Sequence, residues 1–460
     1  MLEKGKIENI KNQLRGSILV PGEGGYDESR AAWNLTVDQH PEVIVVARDA
    51  ADIAAAVSFA SQNGLGVAAQ STGHGIGQPA DGCLLVRTSD LTGVEVDVDS
   101  RSAYVESGAR WGAVLEKAQA AGLAPLLGSS PEVGVAGYTL GGGFGWLGRK
   151  YGLALDSVNY FDAVTADGQV QRVSENENAD LFWAMRGGGG GFALLAGMQI
   201  RLYPVETVYA GNLFYSPKDA KQVFTRYREW IRDAPDELTS AIVLMNYPPL
   251  DMVPEIFRGK SFVIVRGCWC GDPDQGEELL SYWRDWKQPV HDFWGEIPFS
   301  QAATISNDPV DPMPSYFSGA WMSDLEDGAV DIILERTLPR GGPPVLVFTE
   351  VRHAGGAVAR VDADANAYSH RDSELVLEII GLAPTPDAFQ NIESYISGMM
   401  GELNPHLTGG VYMNFLEGDR VEKRVRDAYP PDKFQRLQQI KARYDPGNMF
   451  RFGFGIDPQV

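Results

Sequence analysis

Cysteine, histidine and basic residues are scarce in this sequence. Three cysteines and six histidines occur in 460 residues. An odd cysteine count makes a poor disulfide framework, and Cys268 and Cys270, one residue apart in a strand-like segment, lack the further ligands of a zinc site. The histidines are scattered without metal-ligand spacing. We therefore expect buried cysteines and no bound metal.

Positive charge is also in deficit, and long apolar runs are missing. The 39 basic residues face 61 acidic ones, a formal net charge of −22 at pH 7. That balance disfavours nucleic acid and anionic lipid as partners.

No apolar run reaches the length of about 18 residues that a spanning helix needs, and Met1 to Gly16 lacks the apolar core of a secretory signal. We expect a cytoplasmic protein, a monomer or small homo-oligomer, that binds neither membrane nor nucleic acid.

Several catalytic signatures are absent as well. There is no Gly-x-Ser-x-Gly elbow, no Walker lysine and no dinucleotide fingerprint with a downstream acid. The expected signals of a hydrolase, an ATPase and a nicotinamide-dependent dehydrogenase are therefore missing.

The order of apolar and polar segments predicts an α+β fold of more than one domain. A helix should begin at Asp49, where acidic residues suit the first turn, and end at Asn63-Gly64. Residues 294–317 look like a long loop because they are rich in Pro, Ser, Asn and Asp. Further strands are predicted over residues 344–351, 357–361 and 410–415.

Glycine, by contrast, is concentrated in three clusters, at residues 73–77, 128–152 and 187–191. Without a Cβ, glycine permits positive φ and lets a flat or anionic group lie against the backbone, where successive amides can converge on phosphate oxygens. A single cluster of this kind is as typical of a turn between strands as of a loop that binds a ligand. Three in one half of the chain favour a long, folded ligand that contains a diphosphate.

His74 is the strongest candidate for a residue with a chemical role. It lies in the turn Ser71-Thr-Gly-His74-Gly-Ile-Gly77 after a predicted strand. A lone histidine is usually structural or exposed, but here the flanking glycines leave space for a planar ring. Neutral imidazole is a nucleophile at physiological pH.

These motifs resemble those of the vanillyl-alcohol-oxidase superfamily of flavoproteins. Ser71-Thr-Gly-His74-Gly is similar to its first flavin loop, Pro131 to Gly145 to its second, and Leu181 to Gly190 to its third. Tyr412-Met-Asn414-Phe and Tyr444 to Phe450 resemble the closing segment of the berberine-bridge-enzyme-like branch, near the bacterial hydroxynicotine oxidase type. Five motifs in the right order make the resemblance specific over nearly the whole chain.

The resemblance implies a two-part FAD-binding domain of the vanillyl-alcohol-oxidase type, residues 1–205 and 410–460. An inserted substrate domain, residues 206–409, would consist of an antiparallel sheet backed by helices. FAD would be linked to His74 through a bond from a ring nitrogen to the 8α carbon. The residues that the resemblance assigns to the cofactor are Ser71, Thr72, Gly73, His74, Gly75, Ile76, Ser130, Val133, Gly134, Gly137, Tyr138, Gly141, Gly142, Gly143, Gly145, Trp146, Gly187, Gly188, Gly189, Tyr412 and Asn414.

The sequence also departs from the family pattern. Ser130 stands where many relatives have a cysteine that makes a second flavin bond, so we expect a single link. Gln70 and Thr72 replace the usual Arg and Gly of the first loop. Phe415 stands where several relatives have a tyrosine base, and a phenyl ring cannot take a proton.

A catalytic base must therefore come from elsewhere, unless the substrate loses its proton unaided. Our first candidate is Glu350, at the end of a predicted strand, where desolvation can move a carboxyl pKa toward neutral pH. Tyr138, His353 and Tyr412 are the others, although binding or packing roles are the commoner ones for such residues.

The resemblance implies an FAD-dependent oxidase. A small organic substrate (an alcohol, an amine or a natural-product intermediate) would give a hydride to the flavin, and dioxygen would reoxidise it to yield hydrogen peroxide. Val133 holds the position that gates oxygen in related enzymes, and a side chain this small is typical of oxidases. A flavin dehydrogenase with another acceptor and a non-catalytic flavin-binding protein are the alternatives.

Overall fold

Three β-sheets form the framework of this protein in a computed structural model that describes residues 2–339, 341–416 and 419–459. The first two sheets come from the N-terminal part of the chain, and the third from the middle. The α+β class is thereby confirmed. The predicted domain limits stay a prediction. None of the helices in the described ranges is both long and apolar enough to cross a bilayer.

The first sheet has four strands in the order β1-β2-β4-β3, and the last three are parallel. A helix that connects β2 to β3 along the chain begins at the Asp49 cap, whose side chain accepts a hydrogen bond from Asp52 N at 2.9 Å, and ends at Gly64 with a φ of 66°. This helix is confirmed as predicted. The elements are β1 (Ser17–Leu19), β2 (Val43–Val46), β3 (Val67–Gln70), β4 (Leu84–Arg87), α1 (Lys4–Lys11), α2 (Tyr26–Arg30) and α3 (Ala50–Asn63).

The second sheet is antiparallel, with five strands in the order β5-β6-β9-β7-β8. Its apolar side packs on the helices that carry the second and third glycine clusters. The elements are β5 (Val94–Asp97), β6 (Ser102–Glu106), β7 (Val158–Val164), β8 (Val170–Ser174), β9 (Leu194–Arg201), α4 (Trp111–Gln119), α5 (Val135–Leu140), α6 (Gly148–Tyr151) and α7 (Ala179–Gly188).

The third sheet is antiparallel and has eight strands, with the path β13-β10-β12-β11-β16-β17-β15 and β14 paired beside β10. Its strands are β10 (Thr207–Tyr215), β11 (Leu238–Asn246), β12 (Ser261–Trp269), β13 (His291–Asp292), β14 (Gly295–Pro298), β15 (Ser315–Met322), β16 (Phe348–His353) and β17 (Leu375–Leu382). One face is covered by helices through an aromatic and aliphatic core, as predicted for an antiparallel sheet backed by helices.

Helices complete the third sheet and the C-terminal part. They are α8 (Ala220–Ile231), α9 (Pro273–Arg284), α10 (Asp327–Thr337), α11 (Ala357–Arg360), α12 (Pro386–Leu403), α13 (Asp419–Arg424) and α14 (Pro431–Tyr444). Short 3-10 turns span Ala154–Ser157, Gly189–Gly191, Pro217–Asp219, Phe299–Ile305, Asn404–His406, Met413–Phe415 and Val425–Ala428.

Three local predictions are wrong. Residues 294–317 are not one loop, because they contain β14, a 3-10 turn and the first residues of β15. The strand predicted over residues 357–361 is the short helix α11. The strand predicted over residues 410–415 does not form, because residues 410–412 are irregular and Met413–Phe415 is a 3-10 turn. In each case the secondary structure of a short segment is set by its tertiary surroundings rather than by its local sequence preference. The whole of β17 was also missed, although Leu375-Val-Leu-Glu-Ile-Ile is an apolar run of strand length.

A buried ion pair fixes the C-terminal segment against the third glycine cluster. Lys441 and Asp445 are each 1% exposed, and their Nζ and Oδ2 atoms lie 2.6 Å apart. Lys441 Nζ also donates to the Gly191 carbonyl at 2.6 Å. The Asp445 carboxylate accepts from the Met449 and Phe450 amides. The exit turn after α14 is thus held by charge-assisted hydrogen bonds in a dry environment.

Removing the cation of this pair should destabilise the protein strongly. We expect Lys441→Ala to lower the free energy of unfolding by about 3–5 kcal/mol, because the Asp445 charge would remain buried without its partner. The midpoint of urea unfolding, followed by tryptophan fluorescence, measures this. Arg443→Ala on the same helix is the control, since the exposed Arg443–Asp180 pair should contribute less than about 1 kcal/mol. Equal midpoints for the two variants would contradict the expectation.

Candidate active site

A cavity of about 1250 Å³ extends from the glycine clusters to the uncovered face of the third sheet. Pockets for drug-sized ligands are usually about 300–1,000 Å³. This cavity therefore has space for a cofactor together with a second molecule. Most of its lining is apolar, with polar groups concentrated at a few points.

His74 lies on the cavity wall in an aromatic, largely dry setting. Its ring stacks on Trp33 with centroids 4.3 Å apart. Nδ1 lies 2.9 Å from the Thr72 hydroxyl, and the buried Nε2 has no hydrogen-bond partner among the described residues. Burial, with a smaller contribution from the charge of Arg110, lowers the pKa of His74 to about 4. The imidazole is therefore neutral at pH 7, as a nucleophile must be.

The cavity brings together fourteen of the residues predicted for the cofactor. Trp33 and Gln70 join them there, and so do residues of β3, β4 and β9. The predicted residues that line the cavity are Ser71, Thr72, Gly73, His74, Gly75, Ile76, Ser130, Val133, Gly134, Gly137, Tyr138, Gly189, Tyr412 and Asn414.

The other seven predicted residues lie outside the cavity lining and shape it from behind. These are Gly141, Gly142, Gly143, Gly145, Trp146, Gly187 and Gly188. A Cβ at Gly145 would overlap the Leu127 carbonyl, and one at Gly187, where φ is 106°, would overlap the Tyr368 backbone. These glycines are closely packed against other parts of the protein, and their contact with a cofactor stays a prediction. Trp146 is 2% exposed in the core behind the loop.

Tyr412 and Asn414 form a fixed polar unit at the centre of the wall. The Tyr412 hydroxyl accepts hydrogen bonds from the Gly143 and Phe144 amides at 3.0 and 3.1 Å. The Asn414 side chain donates to that hydroxyl and to the Tyr138 carbonyl, each at 3.0 Å. Burial raises the pKa of Tyr412. Although the three donors lower the pKa, burial outweighs them, so Tyr412 is a neutral phenol that holds the wall and does not accept a proton at neutral pH.

Tyr138 and Phe415 border the same part of the cavity. The Tyr138 hydroxyl has no hydrogen-bond partner among the described residues, and burial raises its pKa well above the ordinary value. Phe415 packs edge-on against Tyr412 with centroids 4.8 Å apart. Phe415 therefore supplies an apolar surface, and Tyr138 is a neutral phenol that can donate a hydrogen bond.

Glu350, our first candidate for the base, is corrected by its surroundings. The side chain is 0% exposed and does not line the cavity. Arg266 Nε and Arg352 Nε each donate to its carboxylate, at 2.9 and 2.8 Å. Burial alone would raise its pKa, but the two guanidinium groups hold that pKa below the ordinary value. The expected shift toward neutral pH is wrong, and Glu350 is the permanent anion of an ion cluster.

His353 is also excluded from the cavity. It is 4% exposed, and Arg149 Nη1 donates to its Nε2 at 3.0 Å. Burial, and then the charge of Arg149, lowers the pKa of His353 to about 3. A neutral ring whose Nε2 is occupied by a cation cannot serve as a base toward a ligand in the cavity.

Glu378 is the ionisable residue that the sequence analysis missed. It pairs with Glu350 across β16 and β17, lines the cavity, and lies on the strand that was not predicted. Burial, then repulsion from Glu350, raises its pKa to about 8. We name Glu350, Glu378, Arg266 and Arg352 the acid–arginine cluster. A single carboxylate inside an apolar strand was the signal that could have identified Glu378.

The described residues do not combine into a metal site. No group of three or more His, Cys, Asp or Glu side chains within them could hold an ion. Cys83, Cys268 and Cys270 are buried free thiols.

Comparison with known proteins agrees with this geometry. A family profile described as "FAD binding domain" matches residues 41–174, and one described as "Berberine and berberine like" matches residues 411–457. The two profiles cover the segments that carry the glycine loops and the Tyr412–Asn414 unit.

Full-length relatives extend the match to nearly the whole chain. The sequence is 32% identical to the FAD-linked oxidoreductase pgmH of Aspergillus terreus, over 99% of this chain and 97% of that protein. It is 25% identical to (R)-6-hydroxynicotine oxidase of Paenarthrobacter nicotinovorans, over 97% of each. The solved structure of glucooligosaccharide oxidase from Acremonium strictum with its 6-S-cysteinyl, 8α-N1-histidyl FAD aligns with a TM-score of 0.83 and 23% identity, over 99% of this chain and 100% of that one.

The two classes of glycine should respond differently to a methyl group. Gly145→Ala should cost about 1–3 kcal/mol of stability or more, because the Cβ meets backbone that cannot yield. Gly137→Ala, which has no neighbour within 4 Å of its Cβ and faces the cavity, should change stability by less than about 0.5 kcal/mol but lower the flavin content. Urea unfolding of flavin-free protein and the absorbance ratio of flavin to protein measure the two effects. Loss of stability in both variants, or in neither, would refute the distinction.

Proposed function

Because the chain belongs to the berberine-bridge-enzyme-like FAD-linked oxidoreductases, we propose that it is an FAD-dependent oxidase of a small organic substrate. The observation that carries this proposal is one continuous cavity with His74 in its wall at the glycine loops and Glu378 in its wall at the third sheet. FAD, when bound, accepts a hydride from the substrate and passes two electrons to dioxygen, which yields hydrogen peroxide.

The residues present fit such a cofactor. The loop of residues 71–76, Gly134 and Gly137 leave backbone close to the cavity. Ser71 contributes a hydroxyl that has no hydrogen-bond partner among the described residues, and such a group is available to a ligand. Tyr138 and the Tyr412–Asn414 unit supply flat and polar surfaces beside them. We assign this wall to the cofactor and the third-sheet wall to the substrate.

We also propose a single covalent link through His74. The ring is neutral, stacked on Trp33 and held at Nδ1 by Thr72, a residue that departs from the usual glycine of this loop. The glucooligosaccharide oxidase named above carries its flavin on a cysteine as well as a histidine. In this chain Ser130 lines the cavity where many relatives have that cysteine, and a serine hydroxyl is not a comparable nucleophile.

The link predicts where the flavin is found after denaturation. Acid-precipitated protein should stay yellow, and a single flavin-bearing peptide should contain His74. His74→Ala should bind flavin that washes out on precipitation, while His40→Ala, a change at an exposed histidine, should keep it. A second flavinylated peptide, or colour lost from the unmutated protein, would exclude the proposal.

Glu378 is our candidate for the group that receives the substrate proton. It replaces Glu350 in this role because it faces the cavity and has no guanidinium bonded to it in the described structure, while Arg352 lies close enough to lower its pKa somewhat. A base is most effective when its pKa lies near the working pH. The charge of Glu350 then raises the proton affinity of Glu378, and the charges of the two arginines lower it.

The raised pKa of Glu378 predicts an alkaline pH dependence. The carboxyl group is protonated below about pH 8, so the rate of anaerobic flavin reduction should rise as the pH passes upward through about 8. Glu378→Gln should lower that rate about 100-fold or more and abolish the rise, whereas Glu374→Gln at an exposed site should retain both. Stopped-flow absorbance of the flavin measures the rate. An unchanged pH profile in Glu378→Gln would exclude Glu378 as the base.

Reoxidation by air distinguishes an oxidase from a dehydrogenase. Val133 lines the cavity and is only partly buried, so a small apolar gas has space beside it. Photoreduced enzyme mixed with oxygenated buffer should recover its colour rapidly and release one hydrogen peroxide per flavin. Val133→Leu should slow this step and leave flavin reduction unchanged, because interiors respond to one added methylene. Recovery over many minutes in the unmutated protein would favour the dehydrogenase.

A further inference from the structure

The substrate wall of the cavity has a row of apolar side chains across four strands. In the order of the sheet, the paired residues that line the cavity are Phe317, Ile380, Phe348 and Met245, which we name the apolar row. The row lies on the same face of the sheet as the acid–arginine cluster, because Glu378 and Glu350 are two residues from Ile380 and Phe348. Two residues along a strand are about 7 Å. An apolar surface therefore begins about one ring width from the proposed base.

The apolar row lies on the side of the cluster that faces away from the glycine loops. On the opposite side, Arg352 donates from Nη1 to the Phe144 carbonyl at 3.0 Å and lies over the Trp146 ring. Along the direction of the strands, the glycine-loop residues come first. The arginines, the glutamates and then the apolar row follow. A substrate whose reacting carbon lies near Glu378 must place the rest of its body along the row.

A long loop extends this apolar surface outward. Residues 247–260 connect β11 to β12, and Phe257 of this loop is stacked between Phe214 and Tyr247, with centroids 4.9 and 5.0 Å away. Such stacked contacts hold the loop on the sheet. The loop then presents Leu250, Met252 and Ile256 to the cavity.

The apolar side chains at the cavity mouth are unusually exposed. Met252 is 59% exposed, Phe293 51% and Val310 60%, and all three line the cavity. Exposed apolar surface in a cavity indicates a ligand that covers it. Polar side chains also line the cavity at Ser306, Asn307, Asp308 and Asp311, which we name the polar wall.

We propose that the substrate is an apolar, ring-containing molecule with one hydroxyl or amine group at the carbon that is oxidised, and that it is not a carbohydrate. This inference rests on the proposed function, since the cavity receives the substrate only if the glycine-loop wall holds the flavin. The ring body lies on the apolar row and under loop 247–260. Its polar group meets Glu378 and the polar wall at Asp308.

A sugar would be poorly matched to this wall. Each sugar ring carries hydroxyl groups around its edge, and a hydroxyl placed against the apolar row would lose its hydrogen bonds to water without replacement. The four side chains of the row contain no N–H, O–H or carbonyl group. Two of the relatives named above are a hydroxynicotine oxidase and a glucooligosaccharide oxidase, which represent two substrate classes. The cavity of this chain suits the first class better than the carbohydrate class.

Equilibrium binding to the flavin-loaded protein tests the proposal without requiring turnover. The probes are 2-naphthylmethanol, cinnamyl alcohol, cellobiose and N,N′-diacetylchitobiose, each titrated under nitrogen while the flavin spectrum is recorded. We expect both aryl alcohols to perturb the spectrum at concentrations at least tenfold lower than either disaccharide. Tighter binding of a disaccharide, or no binding of either aryl alcohol, would overturn the proposal.

Variants of the apolar row locate the binding. Phe348→Gln should weaken 2-naphthylmethanol binding at least tenfold, because it removes an apolar contact surface, and Phe348→Leu should restore most of it. Val170→Ser, at an exposed site on the second sheet, is the control and should bind as the unmutated protein does. Melting temperatures identify a variant that fails to fold, in which case Ile380→Thr replaces Phe348→Gln. Equal affinity in all folded variants would refute binding on the row.

The failure of this inference is separable from that of the proposed function. Photoreduced enzyme should consume dioxygen and form hydrogen peroxide whatever the substrate. If it does so but the aryl alcohols do not bind, the substrate class is wrong and the oxidase assignment stands. If it does not reoxidise, the oxidase assignment fails.

Discussion

The buried carboxylate of Glu350 between Arg266 and Arg352 is the interaction on which the rest of the site depends. It joins strands β12 and β16 of the third sheet, and Arg352 donates a further hydrogen bond to the Phe144 carbonyl in the second glycine cluster. An ion cluster in a dry environment is costly to disturb, because any one charge left alone would be uncompensated. It therefore fixes the distance between the glycine-loop wall and the third-sheet wall. It also places a permanent negative charge beside Glu378, which is one reason that Glu378 keeps its proton at neutral pH.

The glycine clusters have two different physical roles. Some glycines border the cavity, where a flat or anionic group can lie close to the backbone, as at Gly137. Others allow the chain to pass against itself, as at Gly187, where φ is positive and the Tyr368 backbone is in contact. The glycines that pack against other backbone allow the loops to lie close to the core. This close packing fixes the position of the glycines that line the cavity. The same requirement explains the Tyr412 hydroxyl, which satisfies two loop amides that would otherwise be buried without an acceptor.

The cavity thus combines two walls of different character. His74, Trp33 and the loop of residues 71–76 provide the first, which holds a neutral, stacked histidine in a largely dry setting. The apolar row and loop 247–260 provide the second. The relatives named above are a hydroxynicotine oxidase and a glucooligosaccharide oxidase, so similar chains act on different substrates. Function within such a fold follows the site rather than the fold.

The sequence by itself determined the fold class, most strands and helices, the glycine loops and the prominence of His74. These follow from local patterns: apolar periodicity, the Asp49 and Gly64 caps, and clustered residues without a Cβ. Only the tertiary structure decided which glycines face the cavity, because that depends on what packs behind each of them. It also distinguished the two carboxyl groups that are candidates for the base. Glu350 and Glu378 are both carboxylates in apolar strands, but Arg352 on the same strand and Arg266 on β12 donate to the first, whereas the second lies at the cavity wall. Proton affinity is set by neighbours in space, and Arg266, 84 residues from Glu350, cannot be identified as one from the sequence.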